Sequence, residues 1–337
     1  EMCIRDRSRI SDFKGYGLDG FVFALEDYSD DIEYMNDEFI KKVSEIILFT
    51  KSEGLEIWLE AKPTEPPEVG MLSSWLEYDG GTVKQCCSPE RSPFDYTNSA
   101  VLIDSVLERY KSGLSKEAYG YLAGFTSEVP DFSGQDSEYP AVPWYDELET
   151  EYTEEFDGDI FSNLKSLFED NEDASEFKAW YWQKITDRMG ETALISEWCK
   201  ENEKGYFPQI KTNANPYSQV LQTGSALQYL RRFNLPSVSF SGKTAVSHFL
   251  PVSVSSLAKQ FGSGTAGASV LGGLGWGIRP GEFEEYMTRL IECGINMFVF
   301  HTSFLHLNYK SLSRNQISFP THITWKKVVP QILERLR

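Results

Sequence analysis

Short apolar runs alternate along the chain with stretches whose apolar residues recur at helical spacing, the pattern of alternating strands and helices. Residues 20–25 form the first apolar run, followed by Glu26-Asp27. Phe39, Val43, Ile46, Ile47 and Thr50 predict a helix. Gly54 is its stop, since glycine takes the left-handed C-terminal conformation without a steric penalty. Residues 55–61 predict the next strand, which carries Trp58 and Glu60. A proline-rich connection from Pro63 to Pro93 follows. Val101, Leu102, Ser105, Val106 and Tyr110 then predict a helix closed by Gly113. Phe177, Tyr181, Ile185, Leu194 and Trp198 predict one long amphipathic helix. Further strands are expected at 205–210, 235–241, 267–271 and 295–300. Helical faces are expected at Val220-Leu221-Gly224-Leu227, at Val254-Leu257-Ala258-Phe261, at Phe283-Met287-Leu290 and from Trp325 to Leu336.

The organising stretch is 119–130, read as a strand ending in a carboxylate. Strand side chains alternate, so Leu122, Gly124, Thr126 and Glu128 share one side. Their small or polar character suits the crowded interior of a parallel barrel with Glu128 at its mouth. Val129-Pro130 ends the strand, because proline lacks the N–H a ladder needs. The C-terminal end of a barrel strand is where such an architecture keeps its chemistry. The plainer reading of Glu128 is a solvated loop acid that caps a turn.

Seven strands are visible, one short of a closed barrel. The expected fold is therefore an α/β, (β/α)8 TIM-type barrel lacking its first strand, with an acidic insertion at 131–173 after the Glu128 strand. Glu1-Met2-Cys3-Ile4-Arg5-Asp6-Arg7 resembles the translation of a sequencing adapter of the kind carried into metagenomic assemblies. Residues 1–10 are set aside as a non-native or disordered start. Residues 11–337 are expected to form a single barrel domain, a fragment of a longer chain. A doubly wound sheet is the alternative, but no GxGxxG opens a helix after the first strand. The late glycines 272–277 read as a turn.

Composition narrows the function classes. The net charge is −19 and the pI about 4.7, which argues against nucleic-acid binding. No transmembrane run or signal peptide is visible. With the natural start missing, localisation stays open, secreted and periplasmic sites included, as does the oligomeric state. The five cysteines lack metal-like spacing and the four histidines form no HExxH pair, so no metal or cofactor is expected. Aromatics make up 14% of the chain, and a few of them suit a sugar-stacking cleft.

The order of landmarks resembles the barrel of the α-L-rhamnosidase-type glycoside hydrolases, glycoside hydrolase family 106 and relatives. It rests on Gly17-Leu18-Asp19-Gly20-Phe21, Gly54-Leu55-Glu56-Ile57-Trp58-Leu59 and Gly124-Phe125-Thr126-Ser127-Glu128. Pro143-Trp144, Asp146-Glu147-Leu148, Glu197-Trp198-Cys199, Ser255-Ser256-Leu257-Ala258, Gly275-Trp276, Gly294-Ile295-Asn296 and His301 continue it. The chain departs from the family at Ala61-Lys62, where an Asp-Glu pair is usual, and at 205–209, where a Gly-His stretch and a Glu are usual. Ala268-Ser269 stands where the family places Ser-Glu, and Ser127 replaces its Asp.

The resemblance implies glycosidic bonds of plant or microbial polysaccharide as the target, with a carbohydrate as the only expected partner. Glu128 is the candidate general acid. Glu60 is its candidate second carboxylate, and the plainer reading of Glu60 is a solvated acid ahead of the proline-rich connection. The pair Glu26-Asp27, one strand further, is the other candidate. Glu26, Trp58, Asn213, Ser269, Trp276 and His301 are the substrate-binding candidates, with Ser269 marking a lost or relocated acid. Gln209 and Lys211 are further mouth residues. The alternative is a catalytically degenerate barrel that binds carbohydrate or serves as a scaffold.

Overall fold

The computed structural model describes residues 4–24, 33–62, 72–91, 97–128, 139–169, 174–190, 193–210, 219–221, 224–241, 248–272, 278–300 and 323–337. Its strands are β1 (Gly20–Phe23), β2 (Glu56–Glu60), β3 (Leu72–Asp79), β4 (Thr82–Arg91), β5 (Gly124–Glu128), β6 (Ala141–Trp144), β7 (Gly205–Gln209), β8 (Ser237–Ser241), β9 (Gly267–Gly272) and β10 (Met297–Phe300). One sheet has the order β1-β2-β5-β7 and another the order β10-β9-β8, with every pairing parallel. The two meet where the Ser239 N–H donates to the Ile210 carbonyl at 2.8 Å and the Ser237 hydroxyl to the Pro208 carbonyl. The parallel strands thus follow one another in chain order, with helices between them. Among the described residues, β1 and β10 are the end strands of their sheets.

Local chemistry explains the elements. Helix α1 spans Ile4–Gly15 and α2 spans Asp37–Glu53. In α2, Asn36 Oδ1 accepts from the Phe39 N–H at 2.8 Å. At its other end Gly54 sits at φ 73°, a conformation only glycine reaches cheaply. Buried Phe39, Ile40, Val43, Ile47 and Thr50 form its core face.

Helix α3 (Thr97–Leu102) runs through one π-type segment, Ile103–Leu107, into α4 (Glu108–Gly113). After α5 (Lys116–Tyr121) and α6 (Glu147–Phe156) come α7 (Ser175–Gly190), α8 (Leu194–Glu201) and α9 (Ala226–Leu230). Then follow α10 (Phe249–Gln260), α11 (Pro280–Glu292) and α12 (Ile323–Leu336).

The outward residues of the parallel strands pack on these helices. Phe125 lies between Tyr110 (ring centroids 5.8 Å apart) and Trp198 (6.1 Å). Tyr206 meets Phe233, and Phe300 meets Phe283, which in turn meets Trp325. Burying a phenylalanine of this kind contributes about 1.5–3 kcal/mol.

Several local expectations change. Residues 119–121 belong to a helix, because Ser115 caps α5 by accepting from the Ala118 N–H at 3.1 Å, and the strand starts at Gly124. The long helix of 177–198 is two helices, α7 and α8. Gly224, at φ 67°, stands ahead of α9 and interrupts the face of 220–227. The proline-rich connection holds a hairpin. β3 and β4 are joined by Gly80 (φ 56°) and Gly81 (φ 99°), the two positive-φ positions that a tight hairpin turn demands. β6 adds to β3, giving an antiparallel sheet of order β4-β3-β6. Residues 4–15, largely set aside in the sequence reading, form α1, with Ile10 buried.

Candidate functional site

The register of the parallel strands decides which residues face inward. Trp58 pairs with Gly124, and Gly124 with Gly205. Both glycines are needed there. A Cβ on Gly124 would lie 2.6 Å from Trp58 Cζ3 and 2.2 Å from the Gly205 carbonyl oxygen, and one on Gly205 would lie 2.3 Å from Trp58 Cη2. The Trp58 indole therefore lies across β5 and β7 on the side away from the helices. Glu60, Thr126 and Phe207 follow it on that inner face, and then Gln209, the last residue of β7, whose register partner is Glu128, the last residue of β5. Trp58 sits at the level of the first residues of β5 and β7, two residues below Thr126 and four below Glu128.

Glu60 ends β2 on the same face. It is a largely covered acid, its side chain 10% exposed, with Oε2 2.7 Å from Lys62 Nζ. The contact is charge to charge, for Oε2 receives no well-aligned hydrogen bond among the described residues. The Lys62 carbonyl accepts from the Tyr34 hydroxyl at 3.1 Å. In extended chain Glu60 and Lys62 point the same way, so the spacing signals this pair in the sequence.

Thr126 is the hydrogen-bonding hub between the acids. Its Oγ1 donates to the Phe207 carbonyl at 2.7 Å and accepts from Gln209 Nε2 at 3.2 Å. This turns the Gln209 amide toward β5 and leaves its carbonyl oxygen for another partner. Thr126 is fully buried. Nothing in its sequence neighbourhood points to it, since the role arises only when β7 is laid beside β5. Behind this face the Ser127 hydroxyl and the Tyr206 hydroxyl share a hydrogen bond of 2.6 Å.

The geometry brings Glu60 and Glu128 to adjacent strands. Glu60 is in register with Thr126, two residues before Glu128. A strand spacing of about 4.8 Å and a rise of about 3.3 Å per residue put the two backbones about 8 Å apart.

Ser269 is the third residue of β9, between Ser239 and Val299 in register, and is fully buried. It belongs to the packed wall instead of the rim. Glu26, Asn213, Trp276 and His301 lie outside the described residues, as do Asp27 and Lys211. Cys199 offers no thiolate, because burial pushes its thiol up to about 12. Among the described residues no group of three or more His, Cys, Asp or Glu is placed to hold a metal. No described helix is long and apolar enough to cross a membrane.

No protein-family model matches the chain, and no curated protein sequence does. Solved structures do resemble it. The catalytic domain of β-amylase from Paenibacillus polymyxa aligns over 88% of this chain and 88% of its own, with a TM-score of 0.54 and 12% identity. The polyextremophilic β-galactosidase of the haloarchaeon Halorubrum lacusprofundi aligns over 98% of this chain and 55% of its own, with a TM-score of 0.60 and 11% identity. A rhamnosidase from Novosphingobium sp. PP1Y aligns over 75% of this chain and 25% of its own, with a TM-score of 0.50 and 14% identity. The chain thus spans about half of that β-galactosidase and a quarter of that rhamnosidase. At such identities the likeness concerns fold alone, a parallel α/β architecture of the (β/α)8 type.

Proposed function

We propose that the protein is a glycoside hydrolase-like barrel acting on glycosidic bonds of plant or microbial polysaccharide, rhamnosidase-like, with Glu128 as general acid. The reading is supported by the register that sets Glu60 and Glu128 at the ends of neighbouring parallel strands, and it takes their carboxyls to lie within the roughly 5–9.5 Å of a glycosidase pair. In the proposed site Glu128 protonates the leaving oxygen. Glu60, beside the Lys62 ammonium, serves as the negative partner that stabilises positive charge developing on the sugar. Gln209, oriented by Thr126, accepts from a sugar hydroxyl. The strands β1 and β10 are taken as the walls on either side of an eighth strand.

The test is turnover of aryl glycosides and rhamnose-containing oligosaccharides by the purified chain. Glu128→Gln should lower kcat by about 10²–10⁴-fold on substrates with poor leaving groups. Wild-type turnover that this change leaves untouched would remove Glu128 from the mechanism. The Glu60–Lys62 ion pair favours a second reading, a barrel that binds carbohydrate without turning it over. Measurable sugar binding with no turnover in any variant would decide for it.

A further inference from the structure

The antiparallel sheet β4-β3-β6 has two unlike faces. Leu76 and Val142 are buried on one face, where Tyr78 stacks on Phe168 (5.2 Å between centroids, planes 9° apart) and Trp144 meets Phe161. The other face carries Trp75 between Cys86 and Pro143, and Glu77 between Lys84 and Ala141. The Tyr78 N–H donates to the Pro140 carbonyl at 3.0 Å and so extends the ladder. By alternation Tyr139 then stands on the Trp75 face. It is 44% exposed, Lys84 57% and Asp79 40%, whereas Trp75 is half-buried.

The polar groups on this face are already arranged. Trp75 Nε1 donates to Glu77 Oε1 at 2.8 Å, which holds the indole in one orientation along the sheet. Lys84 Nζ donates to Asp79 Oδ2 at 3.1 Å, so its charge is matched. Tyr139 lies one strand over from Trp75 and four residues along, which by strand spacing sets the two about 14 Å apart across the sheet. Two separate aromatic faces with carboxylates between them suit rings carrying both an apolar face and hydroxyls.

We propose that this face is an accessory subsite for a neutral glycan chain. Trp75 and Tyr139 stack on pyranose rings, and the carboxylates of Glu77 and Asp79 accept from their hydroxyls. A neutral glycan fits better than an acidic one, because Lys84 is paired and the chain carries a net charge of −19. The subsite rests on the glycoside hydrolase reading for its substrate class. In chain order β3 and β4 follow β2, and β6 follows β5.

The experiment is native affinity electrophoresis of the purified chain in gels containing soluble galactomannan, xyloglucan or mixed-linkage β-glucan. Trp75→Ala, Trp75→Phe and Tyr139→Ala are run beside the wild type. At least one polysaccharide should retard the wild type. Trp75→Ala should raise the dissociation constant about tenfold, and Trp75→Phe should keep most of the affinity. If Trp75→Ala fails to fold, Tyr139→Ala, at an exposed position, carries the test through a smaller loss. Failure of every polysaccharide to retard the wild type would overturn the subsite, as would equal affinity of the wild type and the folded ring-deleted variants. Binding that depends on Trp75 without turnover would leave the subsite standing and remove the catalytic reading.

Discussion

The parallel wall β2-β5-β7 and the antiparallel sheet β4-β3-β6 are built from the same chain segments in alternation, yet they obey different rules. The wall is covered on both sides. Ile57, Leu59, Phe125 and Tyr206 face helices, and Trp58, Gly124, Thr126 and Gly205 face inward around one indole. Its inner packing leaves no room for a single added methyl. The antiparallel sheet is covered on one side, and its other side carries an ion pair and half-open aromatics. Parallel strands need crossover helices and so become buried, whereas a hairpin can leave a face in water. The difference separates rigidity from access. Residues at the ends of the packed wall are held in fixed register, while the solvated sheet keeps aromatic and charged groups at the water interface.

Substitution inside the wall should show the largest effect. Gly124→Val sets new atoms against the Gly205 carbonyl and Trp58, and the backbone side of that clash cannot swing away. A loss of about 3 kcal/mol or more is expected in urea unfolding. A loss below about 1 kcal/mol would mean that the wall is no tighter than the solvated sheet. Next comes Gly205→Ala, whose clash is with the far end of the Trp58 ring. Trp58→Phe should recover part of the loss. The double-mutant cycle should give a coupling of about 0.5–3 kcal/mol, and additivity would separate the two positions.

In the hairpin, Gly81→Ala at φ 99° should cost about 1 kcal/mol while leaving the wall's amide protection unchanged. Loss of protection in β5 and β7 would show that the two regions fold as one unit.

The smallest effect is a pH dependence in the solvated sheet. The hydrogen bond from the Tyr78 hydroxyl lowers the Glu169 pKa, and the same bond to Glu169 raises that of Tyr78. A depressed carboxylate adds stability above its unfolded pKa and loses it as pH falls through its folded value. A raised tyrosine adds stability below its unfolded pKa and loses it as pH rises through its folded value. The contact should therefore be intact from mildly acidic to mildly alkaline pH and loosen at both extremes. Tyrosine fluorescence of wild type against Tyr78→Phe checks this. A difference signal constant across both extremes would place the pair outside any role in docking the sheet.

Much of the wall was legible because its signals are local. The turn glycines Gly54 and Gly294, at φ 73° and 90°, stand where the apolar periodicity stops. The strand at 205–209 and the helix at 280–292 follow from runs and stripes. The hairpin was missed although Asp79-Gly80-Gly81-Thr82 announces it, because its flanks are polar and prolines dominate the connection. Residues 119–121 were misread because Tyr-Gly-Tyr has a strand's composition, and the Ser115 cap, whose signal is a single hydroxyl, outweighed it.

By itself the sequence determined the alternation of strands and helices and the acid at the end of the 124–128 strand. Period, glycine stops and proline stops are properties of neighbouring residues. Only the tertiary structure decided the rest. Glu60 faces inward because β2 pairs with β5 in one register, and a shift of one residue would have turned it outward. Thr126 orients Gln209 because β7 lies beside β5, and Trp58 fills the space two glycines on other strands leave open. Each of these is a contact between strands or across a strand's end. Its energy depends on which segments become neighbours, and chain order alone does not carry that information.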